Sequence, residues 1–421
     1  MSSQTFSAKQ FSYLARQGDY WVYFKDTDGK DSKTIKKEIL QKIEDNLDVE
    51  NYAFQALHSF VANEKTVYAL PKILKDNSNR LPVISDDFVL RKVNQNLQRI
   101  YKVKQADRFQ IISNVKTLLA NPAPFYVCQL DIKSFYESVD RQKILNDIES
   151  SAIVSYQTKE FLKKFFSSLA LQSGLPRGIN VSATLAEYCL RKFDRRVGDI
   201  KSVYYYARFV DDIIIFSTEQ ITPKTVNEIS SYLPEGLELN NSKMRIYDFS
   251  KNANISVSYL GYKFECKPKC NKKGIANGRN VKTRIAKKKM NKIKGRIVSS
   301  FLSYKAFQDF KLLKDRLLFL TATYPLKTQR KKLSKFENAG FLHGGILYSY
   351  PLIDDLTCLS ELDVFLRGIL FSKYFKARIS DTLTAPQREE LKRFSFLQGY
   401  NRRISRRFRL DHIGRITECW Q

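Results

Sequence analysis

The chain has 421 residues, too many for one small core and enough for two or three subdomains. A hydrophobic share of 43% excludes a disordered polymer. Seventy-two Lys+Arg against 43 Asp+Glu leave a formal charge of +29, which calls for a polyanionic partner, nucleic acid before an anionic membrane. No apolar run approaches the roughly 20 residues of a membrane span, and the N-terminus lacks a signal-peptide pattern, so the expectation is a cytoplasmic protein. The six cysteines contain no C-x-x-C pair, and the three histidines show no metal-ligand spacing. Zinc and histidine chemistry are therefore set aside, and reduced, mostly buried thiols are expected.

Residues 1–60 read as helical, with Ile35, Ile39, Ile43 and Leu47 at helical spacing and lysines between them. A hairpin is predicted next, from Val67–Leu70 and Leu81–Ile84 around the turn Asp76–Asn79, decorated by Lys72, Lys75 and Arg80. Helices follow over Asp86–Val103 and Arg108–Leu119. Phe125–Leu130 reads as a buried strand leading into Asp131, and Ser134 with Glu137 fits a capping box for a helix running to Ile148. A lone aspartate in that position is most simply a cap. Gly174-Leu-Pro-Arg-Gly178 is a loop whose glycines would let backbone approach a flat ligand, and Ser182 is placed as the cap of the next helix.

Tyr204–Phe216 reads as two apolar strands meeting at Asp211–Asp212. Read alone, an Asp–Asp pair in a turn is an ordinary reversal. Held on a rigid hairpin with a further carboxylate nearby, it is ready to share a divalent cation. Thr222–Leu233 is helical, and a strand pair is centred on Tyr259–Tyr262. Between Lys269 and Lys335, 21 Lys+Arg face only Asp309 and Asp315, a local charge of +19. Ala286, Met290, Ile293, Ile297 and Phe301 form a helical stripe inside this segment; a face so uniform in sign needs a polyanion beside it. The tail is helical and ends in the cluster Arg402, Arg403, Arg406, Arg407 and Arg409.

Taken in order, these stretches resemble the palm motifs of reverse transcriptases. Leu130-Asp131-Ile-Lys-Ser-Phe135-Tyr136 is similar to motif A, Gly174–Gly178 with Ser182 to motif B, and Phe209-Val-Asp211-Asp212 to the Y-x-D-D box of motif C. Asn240–Lys243 and Leu260–Gly261 are similar to motifs D and E. Phe209 replaces the usual tyrosine, and Arg177 stands where retroviral, retron and group II intron enzymes usually carry glutamine. That arginine, and the stretch Leu347–Ile353, resemble instead the bacterial abortive-infection and defence-associated reverse transcriptases, in particular the type 3 class that pairs two polymerases with a structured non-coding RNA.

The resemblance implies an α+β right-hand polymerase: an N-terminal helical segment (1–60), fingers and a palm with an antiparallel sheet (61–265), a helical basic thumb (266–335) and a C-terminal helical extension (336–421). It implies RNA-directed DNA synthesis from dNTPs in antiphage defence, on a structured non-coding RNA, with a second reverse transcriptase or another copy of the chain as partner and no membrane. RNA-dependent RNA synthesis, template-independent polymerisation and a catalytically idle RNA-binding scaffold are the alternatives.

Nucleotidyl transfer of this kind uses two Mg²⁺ ions, with Mn²⁺ as the alternative, about 3.5–4 Å apart. Asp131, Asp211, Asp212 and the Ile132 carbonyl would hold them, and Lys243 would serve as general acid to pyrophosphate. Lys72, Arg80, Phe135, Tyr136, Arg177 and Gly178 would meet the nucleotide, with Tyr136 excluding a 2′-hydroxyl. Leu260, Gly261, Lys282, Arg284, Lys287, Lys288, Lys289 and Lys292 would contact the primer–template duplex, mainly through its phosphates.

Overall fold

The computed structural model describes residues 3–24, 31–62, 64–74, 76–169, 171, 173–251, 253–270, 276–325, 343–374, 380–404, 406, 408 and 410–420. The chain divides into two compact units, Met1–Asp107 with Pro124–Ser250 and Arg108–Ala123 with Lys251–Gln421. Lys75, Arg407, Arg409 and the end of the predicted basic segment lie outside the described residues.

The first unit opens with α1 (Ala8–Leu14), α2 (Gln17–Val22) and α3 (Ser32–Asp45), the last as the spacing of Ile35, Ile39 and Ile43 predicts. Ser7 and Asp31 cap α1 and α3 by accepting from backbone N–H groups of the first turn. A hairpin of β1 (His58–Ala62) and β2 (Lys65–Ala69) follows, then α4 (Arg80–Ile100). The expected strand at Leu81–Ile84 is instead the first turn of α4. Its β-branched residues suggested a strand, but Pro82 falls where backbone N–H groups have no intrahelical partner, so the ring costs nothing there. Arg91 of α4 is buried and forks onto Asp19 at 2.6 and 2.9 Å, tying α2 to α4.

After α5 (Arg108–Leu119), which belongs to the second unit, the chain enters β3 (Tyr126–Asp131), α6 (Phe135–Ser138), α7 (Arg141–Glu149) and α8 (Tyr156–Ser167). The capping box at Ser134 does not form. Ser134 is left-handed at φ 45° with no side-chain cap bond, α6 is a single turn, and Asp140 caps α7 by accepting from Lys143 N at 3.0 Å. Next come α9 (Asn180–Gly198), β4 (Val203–Phe209), β5 (Asp212–Ser217), α10 (Pro223–Ser231) and β6 (Arg245–Asp248). Ser182 is not the cap of α9. The helix begins at Asn180, and the Ser182 hydroxyl is buried without a hydrogen-bond partner among the described residues.

Strands order β4-β5-β3-β6 in a four-stranded antiparallel sheet. Ile213 and Ile215 of β5 and Cys128 and Leu130 of β3 are buried in a core shared with Phe135, Phe161, Phe165, Leu185 and Phe193. Alternation along β5 is lost because Ile214 and Phe216, on its other face, are also buried; the strand is covered on both sides.

The second unit holds a three-stranded antiparallel sheet, β7 (Ile255–Tyr259), β8 (Tyr262–Cys270) and β9 (Ala276–Ile285). Then come α11 (Lys287–Phe307) and α12 (Phe310–Thr321), a short pair β10 (Thr323–Pro325) and β11 (His343–Gly345), α13 (Ile346–Ser349) and α14 (Thr357–Phe371). Among the described residues the unit closes with α15 (Ala385–Leu391), α16 (Phe396–Asn401) and α17 (Leu410–Thr417). The α11 stripe is buried at Met290, Ile297 and Phe301, as its spacing predicts. The first part of the basic segment, however, is β-hairpin and not helix. Among the described residues no helix is long and apolar enough to cross a membrane.

Candidate active site

The site is built from the first unit alone, where the end of β3 meets the β4–β5 turn. Asp131 is the last residue of β3, 7% exposed, and pairs in register with Asp212, the first of β5. Directly opposed residues share a sheet face, so these two carboxylates are cross-strand neighbours. Asp211 lies in the two-residue turn between Phe209 and Asp212, which are themselves paired. Ile132, one residue past β3, donates its N–H to the Asp211 carbonyl at 3.1 Å and so ties the turn to the strand end.

A cleft of about 770 Å³ opens here, lined by Asp131, Asp211, Lys243, Lys65, Lys133 and Arg177 among others. Lys243 bonds Asp131 Oδ1 at 2.7 Å, and Asn240 reaches Oδ2 at 3.3 Å while its N–H donates to the Asp131 carbonyl at 2.7 Å. Bonded to Asp131 and near Asp211 and Asp212, the Lys243 ammonium is held above the ordinary lysine range and stays protonated at neutral pH.

Arg177 forks onto Glu137 at 2.7 and 2.9 Å, and its guanidinium carbon lies 4.6 Å from the centre of the Tyr136 ring. Burial, ahead of the opposing Arg177 charge, raises the Tyr136 hydroxyl above its usual pKa. The loop carrying Arg177 is fixed by backbone bonds from Leu175 N to Tyr136 O and from Tyr68 N to Arg177 O, each 2.7 Å. The glycines permit this packing against the chain's own backbone, where the sequence suggested a flat ligand. A Cβ at Gly178 (φ 94°) would sit 2.5 Å from the Tyr68 carbonyl, and one at Gly174 (φ 76°) 2.7 Å from the Glu137 carbonyl.

The structure thus gathers Asp131, Ile132, Asp211, Lys243 and Arg177 on one cleft, with Asp212 and Tyr136 adjoining. Phe135 is fully buried in the core and does not reach the cleft. Lys72 is exposed on a loop whose carbonyl is held by Asn79, and Arg80 donates to the Tyr23 carbonyl at 2.8 Å; neither lines the cleft. Lys65 and Lys133 stand there instead. Lys133 was legible from its place two residues beyond Asp131, whereas Lys65 is marked by nothing before the β1–β2 turn is known.

In the second unit, Leu260 (φ 45°) and Gly261 (φ 84°) form the tight β7–β8 turn. Arg108 donates to the Leu260 carbonyl at 2.6 and 3.2 Å and to the Ser349 carbonyl at 2.8 Å, with its guanidinium over Tyr262 and Tyr350. Lys287, Lys288, Lys289 and Lys292 are exposed along the first turns of α11, and Lys282 is exposed on β9. Desolvation, with repulsion from Arg296, Lys289 and Lys288 behind it, lowers the Lys292 pKa. Arg284 is different: it is committed to Glu361 at 2.5 Å and Asp355 at 3.5 Å.

Residues 71–264 match the family model described as reverse transcriptase (RNA-dependent DNA polymerase). This region is a reverse transcriptase domain, and its fold is the palm of that family. That family is one of RNA-directed DNA polymerases, which are nucleotidyltransferases. No curated protein matches the chain. Similar solved structures include apo telomerase from Candida tropicalis truncated from its C-terminal domain, at 13% identity and TM-score 0.38 over 54% of this chain and 54% of that one. Telomerase from Candida albicans in complex with a TWJ fragment of telomeric RNA gives 12% and 0.37 over 88% and 62%. Apo telomerase from Candida tropicalis gives 11% and 0.38 over 86% and 64%. This chain therefore spans between about half and two thirds of those chains' lengths.

A reverse transcriptase domain works with divalent cations, typically Mg²⁺. Among the described residues no group of three His, Cys, Asp or Glu side chains stands already assembled around one point. The donor chemistry nevertheless fits. Asp131 is a buried carboxylate already balanced by a cation, the Lys243 ammonium, whose side chain is 60% exposed.

Proposed function

We propose that this protein copies RNA into DNA from dNTPs, on a dedicated structured non-coding RNA, in defence against phage. The observation that carries the polymerase reading is the pairing of Asp131 with the Asp211–Asp212 turn on one cleft also furnished with Lys65, Lys133, Lys243 and Arg177. Carboxylates at one end of such a cleft suit hard divalent cations, and the cations around them suit a triphosphate. When bound, Mg²⁺ would lower the pKa of a primer 3′-hydroxyl and balance the charge of the leaving pyrophosphate. Asp131, Asp211, Asp212 and the Ile132 carbonyl are the residues that would hold it.

The remaining work falls to the chain's own groups. Asn240 fixes Asp131 through two hydrogen bonds. Lys243, protonated beside Asp131, is placed to hand a proton to a phosphate oxygen as pyrophosphate departs. Tyr136, its ring backed by Arg177, is the candidate for selecting against a ribose 2′-hydroxyl. Lys282 and the Lys287–Lys292 face supply affinity for phosphates without reading bases.

The defence role rests on the Gly174–Gly178 loop with Arg177 and on Leu347–Ile353, which resemble the antiphage group. The test is to sequence the nucleic acid that copurifies with the protein, before and after ribonuclease. One recurrent structured RNA with attached complementary DNA supports the reading. A random sample of cellular RNA without DNA overturns it.

A further inference from the structure

Arg208 sits in β4, three residues before Asp211, and its side chain is 4% exposed. Every one of its five N–H donors is used. Nε and Nη2 reach the two oxygens of Asp194 at 2.8 and 2.7 Å. Nη1 and Nη2 reach those of Glu187 at 3.2 and 2.7 Å. The remaining Nη1 donor goes to the backbone carbonyl of Val210 at 2.9 Å. Glu187 and Asp194 both lie on α9, two turns apart on one face, and Asp194 also accepts from the Tyr206 hydroxyl at 2.6 Å.

Val210 is the residue that needs holding. It occupies the first position of the two-residue turn with φ 61°, a region that suits glycine and that a β-branched side chain resists. The conformation at Val210 sets where the next residue, Asp211, points. Strain of this kind persists only where its surroundings over-determine it. Two bonds do so here: Arg208 to the Val210 carbonyl, and Ile132 N–H to the Asp211 carbonyl at 3.1 Å.

We propose that Arg208 is the positioning residue of the Asp211–Asp212 turn, transmitting the rigidity of α9 through Glu187 and Asp194 to the Val210 carbonyl. Its importance for cation binding rests on the function proposed above; its hold on the turn does not. The alternative is a buried ion pair that merely staples β4 to α9.

Two readouts on the full chain separate them. Hydrogen exchange at the Ile132 amide reports the turn without any cation, and binding of Mn²⁺ alone, followed by loss of the free-ion resonance signal, reports the carboxylates. Arg208→Lys keeps the charge near Glu187 and Asp194 but loses the fork that reaches Val210. In the folded variant we expect Ile132 exchange to speed up and Mn²⁺ affinity to fall, each by about tenfold. Adding Val210→Gly to Arg208→Lys should recover most of both, because glycine takes the same φ without strain. If Arg208→Lys does not fold, Arg208→Met with Glu187→Gln and Asp194→Asn, which strands no charge, is read in the same way. Unchanged Ile132 exchange, or a loss that Val210→Gly leaves in place, overturns the proposal in favour of the staple. A wild-type chain that binds no Mn²⁺ would defeat the cation reading, while the exchange experiment would still decide the role of Arg208.

Discussion

The clamp of Arg177 on Glu137 and Tyr136 offers a quantitative test of the cleft's architecture. The perturbation is Arg177→Gln and Glu137→Gln, made singly and together. The fork is well formed, at 2.7 and 2.9 Å, but Glu137 is 51% exposed against 17% for Arg177, so solvent screens the pair. Exposed pairs contribute about 0.2–1 kcal/mol, and bidentate geometry puts this one toward the upper end. The guanidinium over Tyr136 adds about 0.5–1 kcal/mol, lost in Arg177→Gln and kept in Glu137→Gln. The expected costs are thus about 0.5–1 kcal/mol for Glu137→Gln and about 1–2 kcal/mol for Arg177→Gln, with a coupling of about 0.5–1 kcal/mol. Urea unfolding of the four proteins measures it. A parallel cycle with Glu187→Gln is the control, because Glu187 is bonded to Arg208. Zero coupling to Glu137, or a larger coupling to Glu187, would refute the reasoning. Arg177→Gln should also raise the KM for nucleotide, since the Tyr136 ring loses its backing.

Tyr136→Ala should raise incorporation of rNTPs relative to dNTPs in competition on a defined template; an unchanged ratio would leave Tyr136 a packing residue. Neutralising Lys287, Lys288 and Lys289 together should flatten the salt dependence of duplex binding, by up to about 0.9 in the log–log slope for each phosphate these lysines neutralise in the wild type. An unaltered slope would place these lysines away from the duplex. Stability should carry a signature from Asp86, whose carboxyl is buried by α4 and pushed up to about 6 against the opposing bonds from Gln55 N and Tyr52. The unfolded value is about 3.9, so the native state binds this proton first. That contribution is full below about pH 4 and is lost as pH rises to about 6, a fall of about 2–3 kcal/mol. The difference between wild type and Asp86→Asn across this window measures it, and parallel curves would contradict the assignment.

Much of the palm was legible because its signals are local. The apolar runs on either side of Asp211–Asp212 form β4 and β5, and Phe125–Leu130 reads directly as the strand that delivers Asp131. The errors share a cause. Leu81–Ile84 has strand-like residues, yet it continues into the long helix α4 as its first turn, with Val83 and Ile84 buried. Ser134 and Ser182 occupy cap-like sequence positions, but Ser134 takes a left-handed backbone and Ser182 is buried inside α9. Partners distant in sequence were not legible at all. Glu187 lies only ten residues from Arg177 in the chain, yet Arg177 pairs with Glu137, forty residues upstream. Glu187 is taken by Arg208, whose role depends on the sign of φ at Val210, which no spacing or composition encodes.

The Asp211–Asp212 turn, with Asp131, is proposed as the catalytic centre for RNA-directed DNA synthesis. Its most direct test is primer extension on a defined RNA template with Mg²⁺ and dNTPs, comparing wild type with Asp211→Asn combined with Asp212→Asn, and measuring RNA binding on the same preparations. The double variant is expected to lose incorporation to background while its RNA affinity stays close to wild type. Undiminished DNA synthesis by the double variant would contradict it.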